Sequence, residues 1–450
     1  QKRSTPVKRF SFRLFAFGMA VGAVGAAVVL AANAYARVAR PTRSTSATAS
    51  TAPATSPDLV IQWNRILLGI LRTPGAQPAT IHPTRSMAIL HAAVYDAVNA
   101  IAKTNAPYLV DLGAPKHASE PAAAAAAAHA VLVRLYPGQA AILDADLAGS
   151  LSQVPDDKAK DQGVRVGEEA AAAILTLRAD DGSAATPIPF VPGSNPGDYQ
   201  LTPPAFAQPV FSHWPFVQPF SLRSANQFRP PPPPALTSPS YTDSFDEVKS
   251  LGAVGSPTRT ADQTQIARFW GAPIQNYWNE IAQTAALAYG TTLEQNARLF
   301  ALLDLSLADS VIAFYDGKYT YHFWRPITAI RAADNDGNAA TAADPNWTPL
   351  ATTALDPSYP GAHAVVSAAG ADVLSRFFGN NGAFAVTSEV LPGVERTFTS
   401  FSDAADEASL SRIYAGQHFR FDQVAGQQLG TQIADYVTTN FLVPHGQGHR

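Results

Sequence analysis

The 450-residue chain contains no cysteine. That excludes disulfides, thiolate zinc sites, iron–sulfur clusters and cysteine nucleophiles. A metal would have to be held by His, Asp or Glu, or arrive as an oxyanion. Charge is also scarce, at 15% charged residues and a net charge of −3. Without a basic excess the chain lacks the electrostatic footprint of a nucleic-acid binder. Any anion site must be a local gathering of cations rather than a general field. Sustained period-2 alternation is missing, and so are a P-loop, an H-E-x-x-H and a G-x-S-x-G motif. What the chain does have is 46% hydrophobic residues, enough for one large domain or two ordinary ones.

The first residues read as an address. Lys2, Arg3, Lys8, Arg9 and Arg13 precede an apolar run from about Leu14 to Ala32, and Ala34-Tyr35-Ala36 offers a small-x-small cleavage site. The pattern predicts a signal peptide over 1–36 and a secreted, extracellular protein. The competing reading is an uncleaved N-terminal membrane anchor, because the run nearly suffices to span. Residues 37–57, rich in Ser, Thr, Ala and Pro, predict a flexible linker. No later apolar run approaches the length of a span, so no other membrane contact is expected.

Helical periodicity dominates the remainder. Leu59, Ile61, Trp63, Ile66, Leu67 and Ile70 form one stripe, and Met87, Leu90, Val94 and Val98 another. Ser119 is the expected N-cap of an alanine-rich helix that Pro137-Gly138 ends. Glu168–Leu177 reads as a further helix. From Ala179 to about Pro257 periodicity fails, and Pro230–Pro234 is an unbroken proline run. Eight aromatic residues between Phe190 and Phe228 favour an ordered wrap there over a disordered linker. Helical patterning returns from Ala261. The predicted class is all-α, one large bundle or two fused bundles: a helical region with its wrap over 58–260, a second helical region over 261–440, and a tail over 441–450.

Three segments of the second region carry chemistry. Lys318 and Arg325 lie two helical turns apart, a spacing that predicts one shared face of a helix, with Tyr321 and His322 between them. Their aromatic neighbours Phe314, Tyr315, Tyr319, Phe323 and Trp324 imply that these cations have an anionic partner. Pro360-Gly361-Ala362-His363 is a tight turn that opens a helical run, where backbone N–H groups can bind an anion. Ser411-Arg412 precedes His418 and Asp422, which stand four apart and face the same way if helical. A carboxylate so placed fixes the imidazole tautomer. His91 and Tyr95 read as core residues, and Asp334–Asn338 as a turn rather than a calcium loop.

Lys318-x6-Arg325-Pro326, Pro360-Gly361-Ala362-His363 and Ser411-Arg412-x5-His418-x3-Asp422 together resemble the three motifs of the vanadium-dependent haloperoxidase and type 2 phosphatidic acid phosphatase superfamily. The looser match at Trp63-Asn64-Arg65 and Tyr95-Asp96-Ala97-Val98 is similar to its secreted bacterial branch. The first and third motifs agree at every fixed position. In the second, Gly361 stands where the family usually has serine and Ala362 where it has glycine.

The resemblance implies an all-α bundle enzyme and a vanadate cofactor. Lys318, Arg325 and Arg412 would neutralise the equatorial oxygens, the Gly361 and Ala362 amides would add hydrogen bonds, His418 would be the axial ligand and His363 the acid–base. The partners implied are hydrogen peroxide and a halide. The same pocket implies two other readings. One is a soluble acid phosphatase with phosphate as substrate, no cofactor, and a phospho-His418 intermediate on the path from a phosphate ester. The other is an inactive scaffold that retains the motifs. A homo-oligomer is compatible with the sequence. The serine's absence removes a donor worth about 1.5–3 kcal/mol to a charged acceptor, a gap that a water could partly fill. Asp356, five residues before Gly361, replaces an aromatic that lies near the halide path in fungal chloroperoxidases. If it faced the site, its carboxylate would repel halide.

Overall fold

In the computed structural model, residues 58–445 are described. The expected signal peptide and linker lie outside them. The described residues form helices α1 (Leu59–Arg72), α2 (Pro83–Ala102), α3 (Glu120–Leu135), α4 (Ala140–Ser152), α5 (Lys158–Leu177), α6 (Pro239–Leu251), α7 (Ala261–Phe269), α8 (Ile274–Tyr289), α9 (Leu293–Tyr321), α10 (Pro326–Ala332), α11 (Ala362–Phe378), α12 (Phe401–Tyr414) and α13 (Arg420–Asn440). A hairpin, β1 (Asn381–Thr387) with β2 (Glu395–Ser400), stands between α11 and α12. The class is all-α, and none of the described helices is long and apolar enough to cross a membrane.

α9 organises the molecule. Thr292 and Gln295 form a reciprocal capping box at its start, and from Leu299 to Lys318 every residue is buried. A helix buried on all sides must be the axis of a bundle rather than its surface. α2 packs on one side of it, and α11 and α13 on the other. Asp58 ties α1 to the same axis. Its Oδ1 caps α1 through the Ile61 N–H at 3.1 Å, and its Oδ2 accepts from Asn296 of α9 at 2.7 Å.

α13 approaches α11 very closely. A β-carbon on Gly430 would lie 2.1 Å from the Val365 carbonyl oxygen, and one on Gly426 2.6 Å from that of Gly361. Only glycine permits this contact. It brings the start of α13 against the start of α11, where the motif residues sit.

The segment from 179 to 238 is an ordered wrap. Tyr199, Trp214 and Phe220 are buried in it, whereas Phe206 and Phe216 face solvent. Carboxylates and guanidinia anchor its backbone. Asp309 of α9 accepts from three successive amides, Phe220, Ser221 and Leu222, at 2.7, 2.7 and 2.9 Å. Arg178 donates to the Gln218 and Pro219 carbonyls at 2.6 and 3.2 Å. Arg229 forms a bidentate pair with Asp316 at 2.6 and 2.7 Å. At the proline run, Tyr321 and Tyr359 hydroxyls donate to the Pro230 and Pro231 carbonyls at 2.6 and 2.7 Å. Proline offers a carbonyl but no N–H, so an acceptor-only segment is met by hydroxyls acting as donors.

Four local expectations differ from the structure. α5 begins at Lys158, ten residues before Glu168, because Asp157 caps it through the Lys160 N–H at 3.1 Å. α6 interrupts the supposed irregular stretch, started by Ser238 with Pro239 in its first turn. The hairpin was masked by short strands whose alternation, Phe384 and Val386 against Phe398, spans few residues. The stretch set apart as a tail from 441 is tied to the body as far as His445, whose N–H donates to the Thr104 carbonyl at 3.2 Å.

Candidate functional site

Lys318 and Arg325 do not share a helix. α9 stops at Tyr321, with His322 in the left-handed region at φ 48°, and Arg325 is the N-cap of α10. Pro326 favours an extended conformation at Arg325 and prevents continuation. The intervening turn, rather than helical phase, makes the two cations converge. Lys318 Nζ donates to the Pro357 carbonyl and to that of Ser358 at 3.2 Å, with Asp356 Oδ1 at 3.5 Å. Arg325 donates through Nε to the Asp356 carbonyl at 2.8 Å and through Nη2 to the Asp356 carboxylate. His322 turns away from this place, and its carbonyl accepts from Tyr199 N–H at 2.6 Å.

His418 precedes α13, whose N-cap is Phe419, so its pairing with Asp422 is not the helical one expected. Asp422 is the third residue of the helix, and its carboxylate reaches back over the cap. Oδ2 accepts from the Phe419 N–H at 3.0 Å, the Ser358 hydroxyl at 2.5 Å and His418 Nδ1 at 2.9 Å. The carboxylate requires the proton on Nδ1 and leaves Nε2 as an acceptor, its lone pair turned away from the carboxylate. Nε2 faces Arg325 Nη1 at 2.9 Å. Burial, then Arg325, Lys318, His363 and Arg412, hold the His418 imidazolium far below its ordinary range. His418 is a neutral imidazole whose lone pair points at cations.

Arg412 lies near the end of α12, which starts ten residues before Ser411. Its Nε donates to Ser411 Oγ at 2.9 Å, its Nη1 to Gln417 Oε1 at 3.2 Å and its Nη2 to the Ala267 carbonyl at 2.9 Å. All three partners are neutral, and among the described residues no carboxylate pairs with it. Burial draws this guanidinium down to about 10, so it stays charged at neutral pH. Lys318, Arg325 and Arg412 are only 0%, 1% and 4% exposed. A buried cation with neutral partners alone is costly unless an anion joins it.

The turn at Gly361 caps α11. The Gly361 N–H is already donated to the Asp422 carbonyl at 2.9 Å, so it is not open to an anion as expected from the motif. Ala362 N–H belongs to the first turn, where a helix leaves its amides without internal acceptors. His363 Nε2 meets the Trp270 carbonyl at 3.0 Å. A carbonyl only accepts, so the proton sits on Nε2 and the Nδ1 lone pair is available. Burial of the ring, then Arg412, keeps it well below the usual imidazole range.

Three contributors carried no motif signal. Ser358 orients Asp422, and Gln417 joins the network by accepting from Arg325 Nη1 through its carbonyl at 2.9 Å. Gln423 fills the place beside Gly361 that a water was expected to share. Asp356 was legible only as a neighbour of the motif. His91 is a core residue, 3.2 Å from Asn64 Oδ1, and Asp336 closes a turn by accepting from the Asn338 N–H at 2.8 Å.

The donor set fits a tetrahedral oxyanion that could be held by an imidazole nitrogen. It offers one imidazole lone pair, three buried cations, one of them unpaired, and a first-turn amide. Residues 298–443 match the family model of the VCPO second helical-bundle domain. Over those residues the chain is similar to the vanadium haloperoxidase and type 2 phosphatidic acid phosphatase superfamily. Among members of the superfamily, a bacterial vanadium-dependent iodoperoxidase structure matches with a TM-score of 0.72 and 26% identity, covering 85% of this chain and 94% of that one. A bacterial vanadium-dependent chloroperoxidase in its holo form matches with a TM-score of 0.65 and 16% identity, covering 86% and 98%. The vanadium chloroperoxidase of Curvularia inaequalis is 25% identical over 48% of this chain. The match spans 47% of that relative's length.

Proposed function

We propose that the protein is a vanadium-dependent haloperoxidase that oxidises iodide with hydrogen peroxide. The observation that carries the reading is Arg412, a buried guanidinium with only neutral partners, in a pocket where the His418 Nε2 lone pair accepts from Arg325 Nη1 alone, a donor that an incoming oxyanion can take over. Vanadate, when bound, would supply the Lewis-acidic centre for the two-electron oxidation of halide by peroxide, in which halide, hydrogen peroxide and one proton from solvent yield hypohalous acid and water. His418 Nε2 would hold it, with Asp422 and Ser358 locking the tautomer and the ring. Lys318, Arg325 and Arg412 would neutralise its oxygens, and the Ala362 amide would donate to one of them. His363 Nδ1 would take a proton from approaching peroxide and return it to the departing oxygen.

Iodide is the halide most easily oxidised, and two features favour it. The second motif has lost its serine hydroxyl, and the Asp356 carboxylate sits against the pocket's cations. The first withdraws less charge from a bound oxyanion and the second adds negative charge beside it, so both make a weaker oxidant, which iodide still satisfies. The iodoperoxidase relative is consistent with that preference.

Asp356 also favours a second reading. A carboxylate that discourages halide does not prevent His418 Nε2 from attacking a phosphate ester, with His363 protonating the leaving oxygen. One experiment decides. The apo-protein is assayed with and without orthovanadate for iodide and bromide oxidation by peroxide, beside hydrolysis of a phenyl phosphate. Halide oxidation that appears only with vanadate supports the first reading. Hydrolysis inhibited by vanadate supports the second. His418→Ala should abolish whichever activity is found; activity that persists would sink the site assignment.

A further inference from the structure

Gly361 sends no side chain toward the pocket, and the space for one is taken from another helix. A β-carbon on Gly361 would lie 2.6 Å from Gln423 Nε2, and 2.9 Å from its Cδ and Oε1. Gln423 follows Asp422 in the first turn of α13 and is 2% exposed. The Ser409 hydroxyl donates to Gln423 Oε1 at 3.3 Å. Ser409 stands one turn before Arg412 on α12. That bond turns the carboxamide so that its oxygen faces α12 and its nitrogen faces Gly361. Nε2 is buried and has no hydrogen-bond partner among the described residues. A buried N–H without an acceptor is expensive and calls for an explanation, such as a ligand that supplies the acceptor.

We infer that Gln423 is an oxyanion-binding residue, its Nε2 donating to the ligand oxygen that a hydroxyl from position 361 would otherwise serve. The inference rests on the oxyanion-pocket reading above. The two arrangements exclude one another sterically, since a side chain at 361 would occupy the carboxamide's place. The donor has moved from the turn before α11 to the first turn of α13. Its new position puts it under the control of α12, through Ser409.

The test is calorimetric binding to the apo-protein of orthovanadate and, as a vanadium-free probe, inorganic phosphate. Gln423→Met keeps the volume and removes the donor, and should weaken both by about 10-fold or more. Gln423→Ala should do the same. Gly361→Ser alone should also weaken binding, because its β-carbon displaces the amide. The double variant Gly361→Ser/Gln423→Ala should restore affinity to within about threefold of the starting protein, as expected of two directly coupled positions. Rescue by a hydroxyl from a different helix is not what a merely structural glutamine would give. Wild-type affinity in both Gln423 variants overturns the inference alone. So does a double variant no better than Gln423→Ala, with all variants folded by circular dichroism. A starting protein that binds neither anion overturns this inference and the pocket reading together.

Discussion

Arg412 and Asp356 divide the electrostatics of the pocket between them. Arg412 leaves a positive charge unanswered, and Asp356 answers Arg325 and, more distantly, Lys318. An incoming oxyanion must therefore share two of its three cations with a carboxylate. Asp356→Asn keeps an acceptor for Arg325 and removes the competing charge. It should raise affinity for orthovanadate and phosphate by about 10-fold, by relieving like-charge juxtaposition. Titration calorimetry would show it, and unchanged or weaker binding would mean that the carboxylate helps to organise the cations. At this scale the motif spacing made Lys318, Arg325, Arg412, His363, His418 and Asp422 legible. Ser358 and Gln423 were not, because each acts from a position whose meaning depends on a neighbour in space. Gln423 became meaningful only through the missing side chain at Gly361.

At the scale of elements, the geometry came from terminations more than from helices. The left-handed His322 and the Pro326 start of α10 make the Lys318–Arg325 turn, whereas a two-turn helical spacing was the simpler expectation. The His418–Asp422 pair is likewise a helix-start contact. Periodicity reports the body of a helix and is weak at its ends, which is where these residues sit. The wrap depends on an equally local device, the Asp309 carboxylate holding three amides. Asp309→Ala would leave those donors without their acceptor and should destabilise the protein by about 2–5 kcal/mol. Urea unfolding measures the loss. Limited proteolysis should then cut first between 218 and 230, and cleavage elsewhere would show that the wrap is held mainly by Arg178 and Arg229.

For the molecule as a whole, one contribution to pH stability comes from a buried pair outside the three basic-histidine motifs. Asp304 of α9 and His91 of α2 stand 3.5 Å apart in the core. Burial pushes the Asp304 carboxyl up to about 7 and the His91 imidazolium down to about 3, so both are neutral near pH 6. The signs oppose. Asp304 is raised above its unfolded value, so its contribution is complete below about pH 4 and is lost as pH rises toward 7. His91 is depressed, so its contribution is complete above about pH 6.5 and is lost as pH falls toward 3. Between these limits the two nearly cancel. Asp304→Asn should gain stability relative to wild type as pH rises, by at most about 1.4 kcal/mol per pH unit between roughly 4 and 7. His91→Asn should show the opposite trend below about pH 6.5. Denaturant midpoints across that range are the measurement, and parallel curves would show that the pair is ionised. The all-α class was legible from periodicity alone. The pair itself was legible only as a core histidine, since its partner lies on a distant helix.

The proline carbonyls that receive Tyr321 and Tyr359 bear on modularity. The family model begins at residue 298 and leaves the wrap outside, yet the wrap supplies acceptors to both tyrosines and buries Asp309 of the same helix. The stretch that the family model delimits is, in this chain, half of a wall. Cut at that boundary, the motifs would all be present and the enclosure around them would not.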